Sequence, residues 1–347
     1  MKAITIGSAT MDVFVECDDA NIVSVCTKNK NSEFMSYPYG SKIDITKFSS
    51  NVGGGGINTA CNLANLGFDT SAIFKIGDDV YSEGILKYFE NKKVNLQNII
   101  QSKKTSTGFS IILVSFQGDR TVLAHRGANA EIKEDEINFK AIKDADFMYV
   151  APLNGDSNKV LEPIVDYAYK HDTIICFNAG TTSIKKGFKH LKKILKTAHV
   201  VVMNKEEASM ATEIQVRPDT KTEKFSQEII HTDIKKMLQN LKFMDYQLIV
   251  ITDGNKGAYA YDGHKYYYCP TYNEFDVVST LGAGDAFAST LCGALNRTDM
   301  NIGKSLMYAS VNSGSVVSQF GATEGLLTFE EIEKHLKNNP DYTYLEC

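Results

Sequence analysis

Apolar positions along this chain fall into short runs at regular intervals. Ala3 to Ile6 is the first, and Phe147 to Val150, Thr173 to Phe177, His199 to Met203 and Gln247 to Ile251 repeat it. Runs of this length suit strands buried on both faces, and the stretches between them carry apolar residues at helical spacing. The alternation predicts an α/β fold, a doubly wound and mostly parallel sheet flanked by helices. Ser71 to Ile76, followed by a helical pattern through about Asn91, continues the rhythm. Two regions break it, at about 13–50 and about 96–126. There, alternating pieces such as Lys42 to Phe48, Gly108 to Ser115 and Thr121 to Arg126 are separated by turn-rich sequence. These are expected to form a small β-sheet lid inserted into a single domain spanning 1–347.

Composition narrows the class. A chain of 347 residues, 43% of them hydrophobic, can bury a large core. A formal charge of −5 argues against a general binder of nucleic acid or anionic membrane, so small ligands are expected. Seven cysteines with no C-x-x-C pair fit reduced thiols rather than a disulfide framework or a zinc site. The apolar run in Met1 to Gly7 is too short for a signal peptide and no stretch approaches a membrane span, so the expected location is cytoplasmic. Lys185 to Lys196 spaces its charges along a helix and reads as a solvated face.

The candidate chemistry centres on Ser279 to Phe287, where the small-residue turn Gly282-Ala283-Gly284 opens into a helical pattern at Asp285. Converging backbone N–H groups and the positive end of a helix shape such a turn to hold an anion. Asp285 then reads either as a helix cap or as a base beside a phosphate about to move. Asp12 follows the first strand, near the sheet edge where open parallel sheets bind ligands, and otherwise reads as a turn-stabilising side chain. Gly53 to Gly56 precede a helix through Leu66, permitting close backbone approach to a ligand, and Asn58 offers hydroxyls both a donor and an acceptor. Neither common phosphate motif is present. Asn58 breaks the dinucleotide pattern, and Thr298 stands where a Walker A loop ending in Gly303-Lys304-Ser305 needs its leading glycine.

Taken together, these pieces resemble the PfkB (ribokinase-like) family of carbohydrate and nucleoside kinases, from Gly7 to about Leu327. Gly53 to Gly67 is similar to the family's first signature and Thr280 to Ala288 to its second. Asn204 to Glu207 resembles its N-x-x-E motif, and Thr252 to Gly257 its T-x-G-x-x-G nucleotide loop. The resemblance implies ATP-dependent phosphoryl transfer to a sugar or nucleoside hydroxyl. Asp285 would be the base, and Gly282, Ala283 and Gly284 the anion hole. Asp12, Gly54, Asn58 and Asn129, the last in Gly127-Ala128-Asn129, would bind the acceptor. Asn204, Thr252, Gly254 and Gly257 would serve ATP, and Glu207 would hold Mg²⁺ through water. It also implies a homodimer paired through lid edges. Two departures limit it. Ser279 stands where the family has an aspartate that helps bind a monovalent cation, which leaves dependence on that cation open. Gly55 stands where ribokinases have a lysine, so the acceptor stays open between sugars and nucleosides. The alternative is a catalytically retired sugar- or nucleoside-binding protein, but the base, anion hole, Asn204 and Glu207 are all retained.

Overall fold

The structure is a computed structural model that describes residues 1–27, 30–115, 120–217 and 230–347. Parts of both expected lid segments, 28–29 and 116–119, lie outside the described residues. A ten-stranded sheet forms the centre. In spatial order its strands are Leu345–Glu346, Tyr266–Cys269, Ala258–Tyr261, Leu248–Thr252, Val200–Asn204, Ile174–Asn178, Phe147–Val150, Lys2–Ile6, Asp69–Ile73 and Val94–Asn95. Pairing is parallel from Val94–Asn95 through Leu248–Thr252 and antiparallel beyond.

The apolar runs explain this arrangement. Along each buried strand, successive side chains enter opposite layers: Met148 and Val150, Val201 and Met203, and Ile249 and Ile251 join one core. Phe147 and Tyr149, Val200 and Val202, and Leu248 and Val250 join the other. Continuous apolar sequence is what a sheet covered on both faces requires. Helices Leu161–Lys170, Phe188–Leu195 and Thr232–Leu241 cover the first layer, and helices Ala283–Arg297 and Ile302–Val317 the second. No helix among the described residues is long and apolar enough to cross a membrane.

A separate four-stranded sheet has the order Arg120–His125, Gly108–Val114, Thr10–Glu16, Lys47–Gly53. Asn21–Thr27 and Lys30–Ser36 form a hairpin beside it in sequence. Three expectations need correction. Only the start of the 96–126 segment stays out of the small sheet: Val94–Asn95, just before it, extends the central sheet, and Ile100–Gln101 pairs with Lys75–Ile76. Both pairs are parallel across the Val80–Phe89 helix, as strand–helix–strand connections are. The alternating piece at 42–48 is displaced, since the strand runs Lys47–Gly53. Asp12 lies within the strand Thr10–Glu16 rather than in a turn, because Val13 and Val15 favour extended backbone.

The chain crosses between the two sheets at Gly7, Gly53-Gly54, Gly108 and Gly127, and these crossings stack on one another. A Cβ on Gly54, whose φ is +99°, would lie 2.5 Å from the Ser8 carbonyl oxygen, and one on Gly7 would lie 2.5 Å from the Gly56 nitrogen. Only glycine permits that approach.

Candidate active site

The helix Ala283–Arg297 begins at Gly282, whose φ of +79° is left-handed and whose absent Cβ leaves room for Ala322. No side chain caps this start. The first-turn N–H groups therefore point outward with the helix dipole behind them. Open space lies over Gly284. Asp285 occupies the third helical position and is recessed but not sealed. Asn58 Nδ2 donates to its Oδ2 at 2.8 Å across 227 residues of sequence. Loss of surrounding water raises the Asp285 carboxyl above its ordinary range, opposed by that hydrogen bond.

Asn58 is placed by the helix Gly55–Asn65, which the Ser8 segment anchors. Gly55 N–H donates to Ser8 Oγ at 3.2 Å and Gly56 N–H to the Ser8 carbonyl at 2.9 Å. Asn62, one turn beyond Asn58, ties this helix to the Asp285 helix. Its Nδ2 donates to Ser289 Oγ at 2.7 Å and Thr290 Oγ1 at 2.8 Å. Asn312 Nδ2 donates to Asn62 Oδ1 at 2.9 Å, and Leu327 N–H donates to Asn312 Oδ1 at 2.9 Å. Buried amides satisfied on both ends fix three helices in one register.

Asp12 is 7% exposed, and its carboxylate fills the space beside Gly53 that a Cβ there would take. Burial raises its carboxyl, and hydrogen bonds from Ser110 and Thr10 oppose the shift. Asn129 lies close by, but its carboxamide is engaged with Ala9, accepting from the Ala9 N–H at 2.8 Å and donating to the Ala9 carbonyl at 2.7 Å. A residue 3% exposed and paired this way pins the sheet crossing, a structural task beside the acceptor contact expected of it. Gly54 likewise serves the crossing through its contact with Ser8.

On the other side of the anion turn, Thr252, Gly254 and Gly257 share a cavity of about 550 Å³ with Ala283 and Gly284. Its further wall is apolar, built from Tyr272, Phe275, Val277 and Phe287. Asn204 is not among its lining residues, although its strand pairs in register with Thr252. Instead Asn204 caps the helix Lys205–Thr212: its Oδ1 accepts from Glu207 N–H at 2.8 Å, and Glu207 Oε2 accepts from Asn204 N–H at 3.1 Å. Burial raises the Glu207 carboxyl, with the Asn204 N–H opposing. One Glu207 oxygen is thus committed and the other is free for a hydrated cation, which suits Mg²⁺ held through water. Among the described residues no cluster of three His, Cys, Asp or Glu could hold a metal directly. A monovalent cation fits poorly. Ser279 brings no carboxylate, and the Val317 carbonyl accepts from both Val278 N–H at 2.8 Å and Ser279 N–H at 3.0 Å.

Sequence reasoning passed over several contributors. Arg120, on the small sheet, donates from Nη2 to Thr280 Oγ1 at 3.1 Å and so bridges to the anion turn. Ser8, Thr10 and Ser110 support Gly55 and Asp12. Only Asn62 left a local signal, a polar residue one turn after Asn58 in an otherwise small and apolar helix.

The profile of the family described as "pfkB family carbohydrate kinase" matches residues 19–328. A bifunctional ribokinase/ribose-5-phosphate isomerase A of Fructilactobacillus sanfranciscensis is 27% identical over 338 residues, 95% of this chain, which spans 55% of that protein. A ribokinase of Staphylococcus aureus is 26% identical over 284 residues, 81% of this chain and 87% of that one. In three dimensions, Arabidopsis thaliana ribokinase, solved with ribose and ATP, aligns with a TM-score of 0.75 at 18% identity over 96% of this chain and 98% of that one.

Proposed function

The chain belongs to the pfkB family of carbohydrate kinases, and we propose that it transfers the γ-phosphoryl group of ATP to a hydroxyl of a sugar or nucleoside. The observation that carries this reading is the 2.8 Å contact between Asn58 and Asp285, which joins the acceptor-side helix to the base at the mouth of the anion turn. The acceptor hydroxyl lies against Asp285, which takes its proton as the oxygen attacks phosphorus. The N–H groups of Gly282, Ala283 and Gly284 stabilise the charge on the transferring group, and being fixed beforehand they need little reorganisation. Arg120 adds a cation from the small sheet beside the same turn. ATP occupies the cavity of Thr252, Gly254 and Gly257, its phosphates toward Gly284 and its base toward the apolar wall. Asp12 and Asn58 accept and donate to acceptor hydroxyls. Glu207 would hold Mg²⁺ through water, and the bound ion would neutralise phosphate charge.

The small sheet closes the acceptor side and limits wasteful hydrolysis of ATP. The test is ATP consumption over pentoses, hexoses, sugar acids and nucleosides. Acceptor-dependent turnover is expected with at least one. ATP and acceptor binding without turnover in the whole panel would favour the retired, ligand-binding alternative.

A further inference from the structure

The inner face of the small sheet is set by its register. Asp12 stands directly opposite Asn51 on one neighbour and Ser110 on the other, so all three side chains project to one face. Two further contacts show where that face looks. Phe14, two residues after Asp12, packs on Phe320 with ring centroids 4.7 Å apart, and Arg120, opposite Val114, reaches Thr280. The face carrying Asn51 is therefore turned toward the anion turn. Asn51 Nδ2 is buried and has no hydrogen-bond partner, and the same holds for Asn58 Oδ1. One orphan donor and one orphan acceptor thus accompany Asp12. Leaving buried amide atoms unpaired is costly, and such exceptions concentrate where a ligand completes the set.

We propose that Asn51 is a specificity-determining residue of the acceptor site, its amide N–H donating to a sugar oxygen next to the hydroxyls held by Asp12 and Asn58. This rests on the kinase reading for the site's location and extends it to an acceptor with an oxygen substituent on its lid-facing side. A deoxy analogue lacking that oxygen leaves Nδ2 unpaired and is rejected.

The experiment compares wild type with Asn51→Ala and Asn51→Leu on a panel of free sugars, their single-deoxy analogues and nucleosides. It reads calorimetric binding without nucleotide and, separately, kcat/KM. For the preferred sugar, both variants should lose roughly ten- to a hundredfold in affinity and kcat/KM. On one deoxy analogue wild type and variants should converge, with KM for ATP within a few-fold throughout. Their melting temperatures should not fall, because the side-chain nitrogen makes no hydrogen bond to lose in the unliganded protein. Variants that keep wild-type discrimination on every analogue, or that lose ATP and acceptor binding alike, overturn the proposal. Sugar binding by wild type without turnover overturns the kinase reading while affinities still judge Asn51. Absence of binding by every sugar and nucleoside overturns both.

Discussion

Asp285→Asn removes a proton acceptor while keeping side-chain volume, and the surroundings show why the site should survive it. The new carboxamide still offers an oxygen to Asn58 Nδ2, and its own N–H₂ can find the unpartnered Asn58 Oδ1. Packing and capping are unchanged because no side chain caps this helix. Losing a general base costs on the order of 10² to 10⁴ in rate, equivalent to about 2.7 to 5.4 kcal/mol of barrier at 1.36 kcal/mol per tenfold. The assay is coupled ATP consumption with the best acceptor, beside calorimetric binding of ATP and acceptor, which should change little. The pH dependence adds a second arm. Burial raises the Asp285 carboxyl despite the opposing Asn58 hydrogen bond, so wild-type kcat should fall on acidification at a higher pH than an exposed aspartate would impose. The variant should lack that limb. Stability carries the same sign: a carboxyl raised in the folded state binds its proton more tightly there, so its ionised form costs stability at neutral pH. The variant should melt higher than the parent near neutrality, and the gap should close as pH falls through the raised pKa. A kcat within tenfold of the parent with an unchanged acid limb would refute the base assignment.

Asp12→Ala and Asn58→Ala should lower acceptor kcat/KM by about tenfold or more, at 1 to 3 kcal/mol per lost contact. KM for ATP should stay within a few-fold, and equal damage to ATP binding in a folded variant would remove the acceptor assignment. Gly282→Ala forces a Cβ to 2.5 Å from the Ala322 carbonyl oxygen in left-handed backbone, a strain of roughly 1 to 2 kcal/mol before the clash. A strong loss of kcat is expected, and near-normal kcat would deny the turn its role. Glu207→Gln should raise the Mg²⁺ concentration for half-maximal rate, since a neutral amide is a poorer partner for the hydrated ion. An unshifted titration would place the metal elsewhere.

The parallel part of the central sheet was legible because its buried strands are largely apolar runs, and Asp285 because glycines before a helix start are a local pattern. What was not legible depends on contacts far apart in sequence. Asn129 reads as a free polar side chain until Ala9, 120 residues away, is seen to use both its amide atoms. Asn204 and Glu207 looked like ligands, yet their reciprocal cap is itself a local pattern that competes with that reading. Arg120 belongs to an alternating strand with no hint that Thr280 lies 160 residues ahead. Val94–Asn95 and Ile100–Gln101 are too short for periodicity to assign them to a sheet.

The stacked crossings at Gly7, Gly54, Gly108 and Gly127 anchor the small sheet at one end. Asp12 pairs two residues from Gly108 along the neighbouring strand, whereas Arg120 pairs with Val114, six residues out. Since strand rise is uniform, Arg120 stands about three times as far from the anchored end as Asp12. The same register therefore sets Asp12 close to the junction of the two sheets and Arg120, with its hydrogen bond to Thr280, far from it.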